Sequence, residues 1–135
     1  MAMDIKTNKV MVFGVFDGFD EGHRYFLNEA KKHGDYLIVV VAPESEVKLL
    51  KNKEPLFSLE DRTEKIKGSG IANLVIAGDA HHGSWNVITA HRPNVVALGH
   101  DQDAIEESLK EYRENHLEKF EIVRIGQTQQ NLSPF

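Results

Sequence analysis

The residues best suited to chemistry lie together near the N-terminus: Gly14-Val15-Phe16-Asp17-Gly18-Phe19-Asp20-Glu21-Gly22-His23. A short apolar run, Val10–Phe13, precedes them, and an amphipathic pattern, Phe26, Leu27 and Ala30, follows. That order reads as strand, glycine-bearing loop, helix start. Such a loop aims main-chain N–H groups and the positive end of a helix at one place, which suits a phosphate. Gly22 lets the backbone come close to a ligand, and His23 stands in the first helical turn facing it.

Two other stretches carry polar groups in a suggestive order. Lys48, Lys51 and Lys53 lie in a charged segment, Glu44–Lys53, that reads as a loop ending near Pro55; most such clusters are solvated surface, and the rest hold anions. Gly99-His100-Asp101-Gln102-Asp103 follows another apolar run, where Asp101 or Asp103 can cap a helix or face a ligand. His81 and His82 are adjacent on a glycine-flanked loop, and neighbouring side chains rarely point the same way, so they read as surface rather than as a metal pair. Trp85 reads as a packing residue, and Arg92-Pro93-Asn94 as a structural lead into a strand.

The elements that must position these residues alternate. Strands are expected over Lys9–Val15, Tyr36–Ala42, Asn73–Ala77, Asn94–Leu98 and Phe120–Ile125. Helices are expected over Glu21–His33, from an N-cap at Ser58 to Gly68 or Gly70, and over Ala104–His116. Tyr36–Ala42 is short, β-branched and apolar on both faces, as a central parallel strand should be. The alternation predicts an α/β fold, a Rossmann-like three-layer sandwich with a five-stranded parallel sheet. In such sheets ligands bind at the carboxyl ends of the strands, where the strand order reverses. Gly14–His23, Glu44–Lys53 and Gly99–Asp103 all fall at such ends.

A chain of 135 residues fits one domain over 1–135, with 1–8 and 126–135 as peripheral tails. Its apolar share of 41% and charged share of 27% are those of an ordinary soluble protein. No apolar run approaches a membrane span, and the N-terminus lacks a secretory signal's apolar core, so a cytoplasmic location is expected. There are no cysteines, which excludes disulfides, zinc–thiolate sites and cysteine nucleophiles. A net charge of −5 disfavours non-specific nucleic-acid binding.

The Gly14–His23 stretch resembles the cytidylyltransferase-like nucleotidyltransferases, which carry Gly-Thr-Phe-Asp, a few residues, then His-x-Gly-His. Gly14, Phe16, Asp17, Gly22 and His23 match at the family's spacing. Gly99-His100-Asp101-Gln102 is similar to a Gly-Tyr-Asp-Gln segment of the archaeal FAD synthetases in that family, and more loosely to Gly-Asp-Asp of glycerol-3-phosphate cytidylyltransferases. The resemblance covers nearly the whole chain. It implies transfer of AMP or CMP from ATP or CTP to a phosphorylated small molecule, with release of pyrophosphate and with Mg2+ neutralising the triphosphate.

It also implies roles by position. His23 and Lys51 would be catalytic. Gly14, Val15, Phe16, Asp20, Gly22, His23, Gly99, Asp101 and Arg124 would surround the nucleotide, with Lys53 and Arg62 holding the acceptor. Family members are often dimers. The chain departs from the pattern at three places: Val15 replaces Thr or Ser, Asp20 replaces the first His, and the segment after Arg124 lacks the family's Ser/Thr-rich helix start. A carboxylate about 4 Å from a phosphate oxygen is repelled by ~4 kcal/mol at an effective dielectric near 20. Asp20 therefore binds magnesium, or is held protonated, or the loop has given up triphosphates. The last option leads to a second hypothesis, a non-catalytic member that binds a nucleotide or a protein.

Overall fold

The computed structural model describes residues 7–80 and 83–126. The expected positions His81, His82 and the tail beyond Gly126 lie outside them. The chain runs β1 (Lys9–Gly14), α1 (Glu21–Lys31), β2 (Tyr36–Val41), α2 (Glu44–Lys51), α3 (Leu59–Ser69), β3 (Leu74–Ala77), α4 (Asn86–His91), β4 (Val95–Leu98), α5 (Asp103–His116) and β5 (Glu121–Arg124). All strands are parallel, in the order β3-β2-β1-β4-β5. The expected α/β sandwich is the fold found, and the order reverses between β1 and β4.

The pleat explains why β1 is apolar from Val10 to Phe13. Val10 and Val12 face one layer, packing with Phe26 and Leu27 of α1 and Ile66 of α3. Met11 and Phe13 face the other, packing with Ile88 of α4 and Ile105 and Leu109 of α5. A strand buried on both faces has no polar side to alternate with. Each fully buried Leu, Ile or Phe contributes roughly 2–3 kcal/mol of transfer free energy, which holds both layers to the sheet.

Short polar side chains staple the amino ends of the strands. Asn94 Oδ1 accepts from Lys9 N–H at 2.8 Å, and Asn73 Oδ1 from Leu37 N–H at 2.8 Å. Asn8, expected in a peripheral tail, is bound in: its carbonyl accepts from the N–H groups of Asp35 and Tyr36. Gly34 is a glycine because a Cβ there would stand 2.4 Å from the Asn8 carbonyl oxygen.

Two helices depart from the expectation. Glu44–Lys51 is α2 rather than loop. It starts at Pro43, which offers no side-chain cap, so the usual signal is missing. The short α4 starts from Trp85 in a left-handed conformation, φ +54°, again without a side-chain cap. The N-cap of α3 is Ser58, as expected, accepting from Asp61 N–H. The N-cap position of α5 is Gln102 rather than either aspartate.

Candidate functional site at the carboxyl edge of the sheet

The β1–α1 connection is a tight, strained loop. Phe16 and Phe19 sit at φ +53° and +29°, and Gly18 at +89°. Side chains other than glycine resist that region, so the loop is held by what surrounds it. Phe16 and Phe19 are buried and flank the His23 ring, Phe16 edge-on at 5.4 Å and Phe19 stacked at 6.1 Å between centroids. The Asp17 carboxylate accepts from the N–H groups of Leu56 and Phe57, at 2.7 and 2.9 Å. It thereby moors the α2–α3 loop to the β1 loop.

Asp20 and His23 form a reciprocal cap at the start of α1. Asp20 Oδ1 accepts from His23 N–H at 3.1 Å, and Asp20 N–H donates to His23 Nδ1 at 3.1 Å. A neutral ring that accepts at Nδ1 carries its proton on Nε2. Asp20 Oδ1 also lies 3.2 Å from Nδ1, so it can take a hydrogen bond should the ring become doubly protonated. The carboxylate at the position of the missing histidine thus has a local task as a helix cap, an alternative to the three options left open by the sequence. The expected metal role for Asp20 gains no partner: among the described residues no three His, Asp or Glu gather into a metal site.

Lys51, the last residue of α2, is half-buried. Burial lowers its ammonium pKa and neighbouring Lys53 lowers it further, while Asp17 and Asp101 oppose them. Those influences place Lys51 within electrostatic reach of both the β1 and β4 loops. Lys53 is exposed, and Lys48 pairs on the surface with Glu54 at 3.3 Å.

Three expected ligand-binding side chains are occupied otherwise. The Val15 side chain packs into a small apolar cluster with Ala42 and Val47. Arg62, expected to hold acceptor phosphate, is fully buried. Its guanidinium donates to the carbonyls of Phe57, Val15 and Ala42 at 2.8–3.0 Å, and Nη2 lies 3.8 Å from Glu44. It ties together the chain ends leaving β1 and β2 instead of reaching into solvent. Arg124 pairs with Asp103 and Glu106 and donates to the Gly99 carbonyl at 2.8 Å. Its pKa is raised by the hydrogen bond with Asp103 and, after burial opposes it, by Glu106. Gly99 is buried, Gly22 is buried within α1, and Asp101 is exposed on the β4 loop.

Beside the β1 loop, on the α4/α5 face, opens an apolar cleft. Phe13, Gly14, Val40, Trp85 and Ile105 line it, with Glu46 and Asp79 as its charged members. Trp85 meets Phe13 edge-on at 5.1 Å, and its Nε1–H donates to Ser108 Oγ at 3.0 Å. Trp85 therefore packs, as expected, but it packs as a wall of the cleft. Nothing in the spacing of these residues announced a cavity, because they come from five separate elements.

Residues 11–131 match the Cytidylyltransferase-like family. The FAD synthase of Pyrococcus abyssi (strain GE5 / Orsay) is 38% identical over 87% of this chain and 79% of its own length. That of Ferroglobus placidus (strain DSM 10642 / AEDII12DO) is 39% identical over 87% and 75%. The crystal structure of the lipopolysaccharide core biosynthesis protein from Thermoplasma volcanium GSS1 superposes with a TM-score of 0.83 at 32% identity, covering 92% of this chain and all of that one. A pantoate-beta-alanine ligase from Francisella tularensis, complexed with beta-gamma ATP and beta-alanine, shares the fold at 12% identity and TM-score 0.67, over 99% of this chain and 65% of its own. Strand order, the β1 loop with its buried histidine and these likenesses agree: the chain belongs to the cytidylyltransferase-like family and is a nucleotidyltransferase.

Proposed function

We propose that this chain transfers the adenylyl group of ATP to the phosphate of FMN, giving FAD and pyrophosphate. The observation that supports the reading is the presence of three features at the carboxyl edge of the sheet. These are the His23 imidazole, the Lys51 ammonium beside the Asp101 loop, and the apolar cleft adjoining Gly14. The similarity to archaeal FAD synthases supports ATP and FMN over other donor and acceptor pairs.

In this reading an acceptor phosphate oxygen attacks the α-phosphorus of ATP. The bond from that phosphorus to the bridging oxygen breaks, and pyrophosphate leaves. His23 donates from Nε2–H to charge growing on the α-phosphate, and the fixed tautomer means no proton must move first. Lys51 meets the phosphates as a partly desolvated point charge, which acts more strongly there than in bulk water. The cleft walled by Trp85 and Phe13 receives the flat apolar end of the acceptor.

Magnesium fits this site only as an ion that arrives on the triphosphate. The exposed carboxylates Asp101 and Asp20 would supply at most one or two oxygens, with phosphates and waters completing the shell as is common for Mg2+. Its contribution when bound is to neutralise triphosphate charge.

The test is to incubate the protein with FMN, MgCl2 and either ATP or CTP, and to follow FAD and pyrophosphate by chromatography. FAD formed with ATP, and no product with CTP, is expected. Pyrophosphate without FAD would replace the acceptor. Micromolar ATP binding with no turnover on FMN or glycerol 3-phosphate would favour the nucleotide-binding module.

A further inference from the structure

The β1–β4 boundary is where the two halves of the proposed nucleotide site meet, and its hydrogen-bond ladder ends in an unusual way. Val10, Val12 and the residue between them pair with Val95–Ala97, and the pairing stops there. Meanwhile β1 continues beside β2 to Gly14, and β4 continues beside β5 to Leu98. The Lys9 carbonyl faces β4, accepting from Asn94 N–H, and the Gly14 carbonyl faces β2, accepting from Ala42 N–H. Alternation along the strand turns the Phe13 carbonyl toward β4. The register that pairs Val12 with Ala97 would next set Gly99 N–H on that carbonyl.

Those are the two groups that the Gln102 side chain takes. Its Oε1 accepts from Gly99 N–H at 2.7 Å, and its Nε2 donates to the Phe13 carbonyl at 2.8 Å. The residue is 1% exposed. A side-chain amide has thus been spliced into the ladder where a direct bond would otherwise form. It satisfies both buried main-chain groups and keeps the strand ends one amide apart. Gly99 is gripped from its other side as well, since its carbonyl accepts from Arg124 Nη1 and from Gln102 N–H.

We infer that Gln102 is a positioning residue, a strut that sets the gap between the phosphate loop after β1 and the Asp101 loop after β4. The inference rests on the proposed nucleotide site for its effect on catalysis, though not for its geometry. Without the amide, two outcomes are open to the strand ends: they zip together, or they part with two buried groups unsatisfied. Either moves His23 relative to Asp101, and displacements near 1 Å at a reacting centre cost on the order of 100-fold.

The experiment uses the full chain with Gln102→Met, which keeps the length and loses both hydrogen bonds, and Gln102→Glu, which keeps only the acceptor. Three quantities are read for each: melting temperature, KM and kcat with ATP and FMN, and hydrogen exchange at the Gly99 amide. For Gln102→Met a rise of about tenfold or more in KM for ATP is expected, with the Gly99 amide exchanging at least about tenfold faster or newly coupled to the Phe13 carbonyl carbon. Gln102→Glu should retain Gly99 protection and still lose affinity for ATP. A lowered melting temperature with KM unchanged within threefold would mean that the amide only stabilises the fold, and would overturn the inference. If the wild-type chain itself neither binds nor turns over ATP, the proposed function fails, and the Gly99 exchange and coupling data alone decide whether Gln102 spaces the strands.

Discussion

His23 sits in the core wall between two phenylalanines, with one ring nitrogen assigned to the main chain of Asp20. Replacing it with Asn keeps an acceptor near the Nδ1 position and removes the far donor. His23→Asn should therefore lower kcat on the order of 100- to 1,000-fold while changing KM for ATP only a few-fold, as measured by steady-state kinetics. A loss below tenfold would remove His23 from the transition state. Lys51 makes a prediction in pH. Its pKa is lowered by burial and by Lys53, so the charge is lost at a lower pH than for an ordinary lysine. If that charge binds phosphate, kcat/KM falls as pH rises through the lowered value. Bound nucleotide opposes the shift, so kcat itself falls later. Lys51→Arg should hold kcat/KM level over the same alkaline range, because arginine stays protonated.

At the scale of elements, Arg62 is the clamp between helix α3 and the carboxyl ends of β1 and β2. Arg62→Met leaves three buried or half-buried carbonyls without donors, at about 1–3 kcal/mol for each fully buried one. The melting temperature should drop by roughly 10 °C, and a change under 3 °C would contradict the clamp. This residue also shows where reading from sequence stops. The strands were legible because runs such as Tyr36–Val41 are apolar on every residue, and α1 and α3 because Gly22–His23 and Ser58 mark their starts. α2 was not, since its first turn follows Pro43 with no capping side chain. The resemblance set Arg62 on the acceptor, and no local pattern announced that it would instead be buried on the carbonyls of Val15, Ala42 and Phe57. Gln102 gave no sign either: the two groups it bridges are brought together by the β1–β4 pairing, which no local pattern encodes.

At the scale of the molecule, the nucleotide reading makes a bulk prediction. A ligand that binds only the folded state stabilises it by RT ln(1 + [L]/Kd), about 2.7 kcal/mol at 100 times Kd. MgATP should raise the melting temperature by several degrees and MgCTP by less; equal shifts would sever the preference for ATP. The strand order carries a further consequence. The half-sheet β3-β2-β1 comes wholly from the N-terminal part of the chain and β4-β5 wholly from the rest, with α4 between them in sequence. The seam in space is therefore also a seam in the covalent chain, crossed once, between Ala77 and Val95. Opened on that connection, the protein becomes two fragments joined by a three-pair ladder, the Gln102 amide, the Asn94 side chain on Lys9 N–H and the apolar packing of Met11 and Phe13 against α4 and α5. Such a pair should reassemble weakly alone and, if the proposed nucleotide site is right, more readily around ATP, which makes the fold a natural frame for a split reporter of nucleotide.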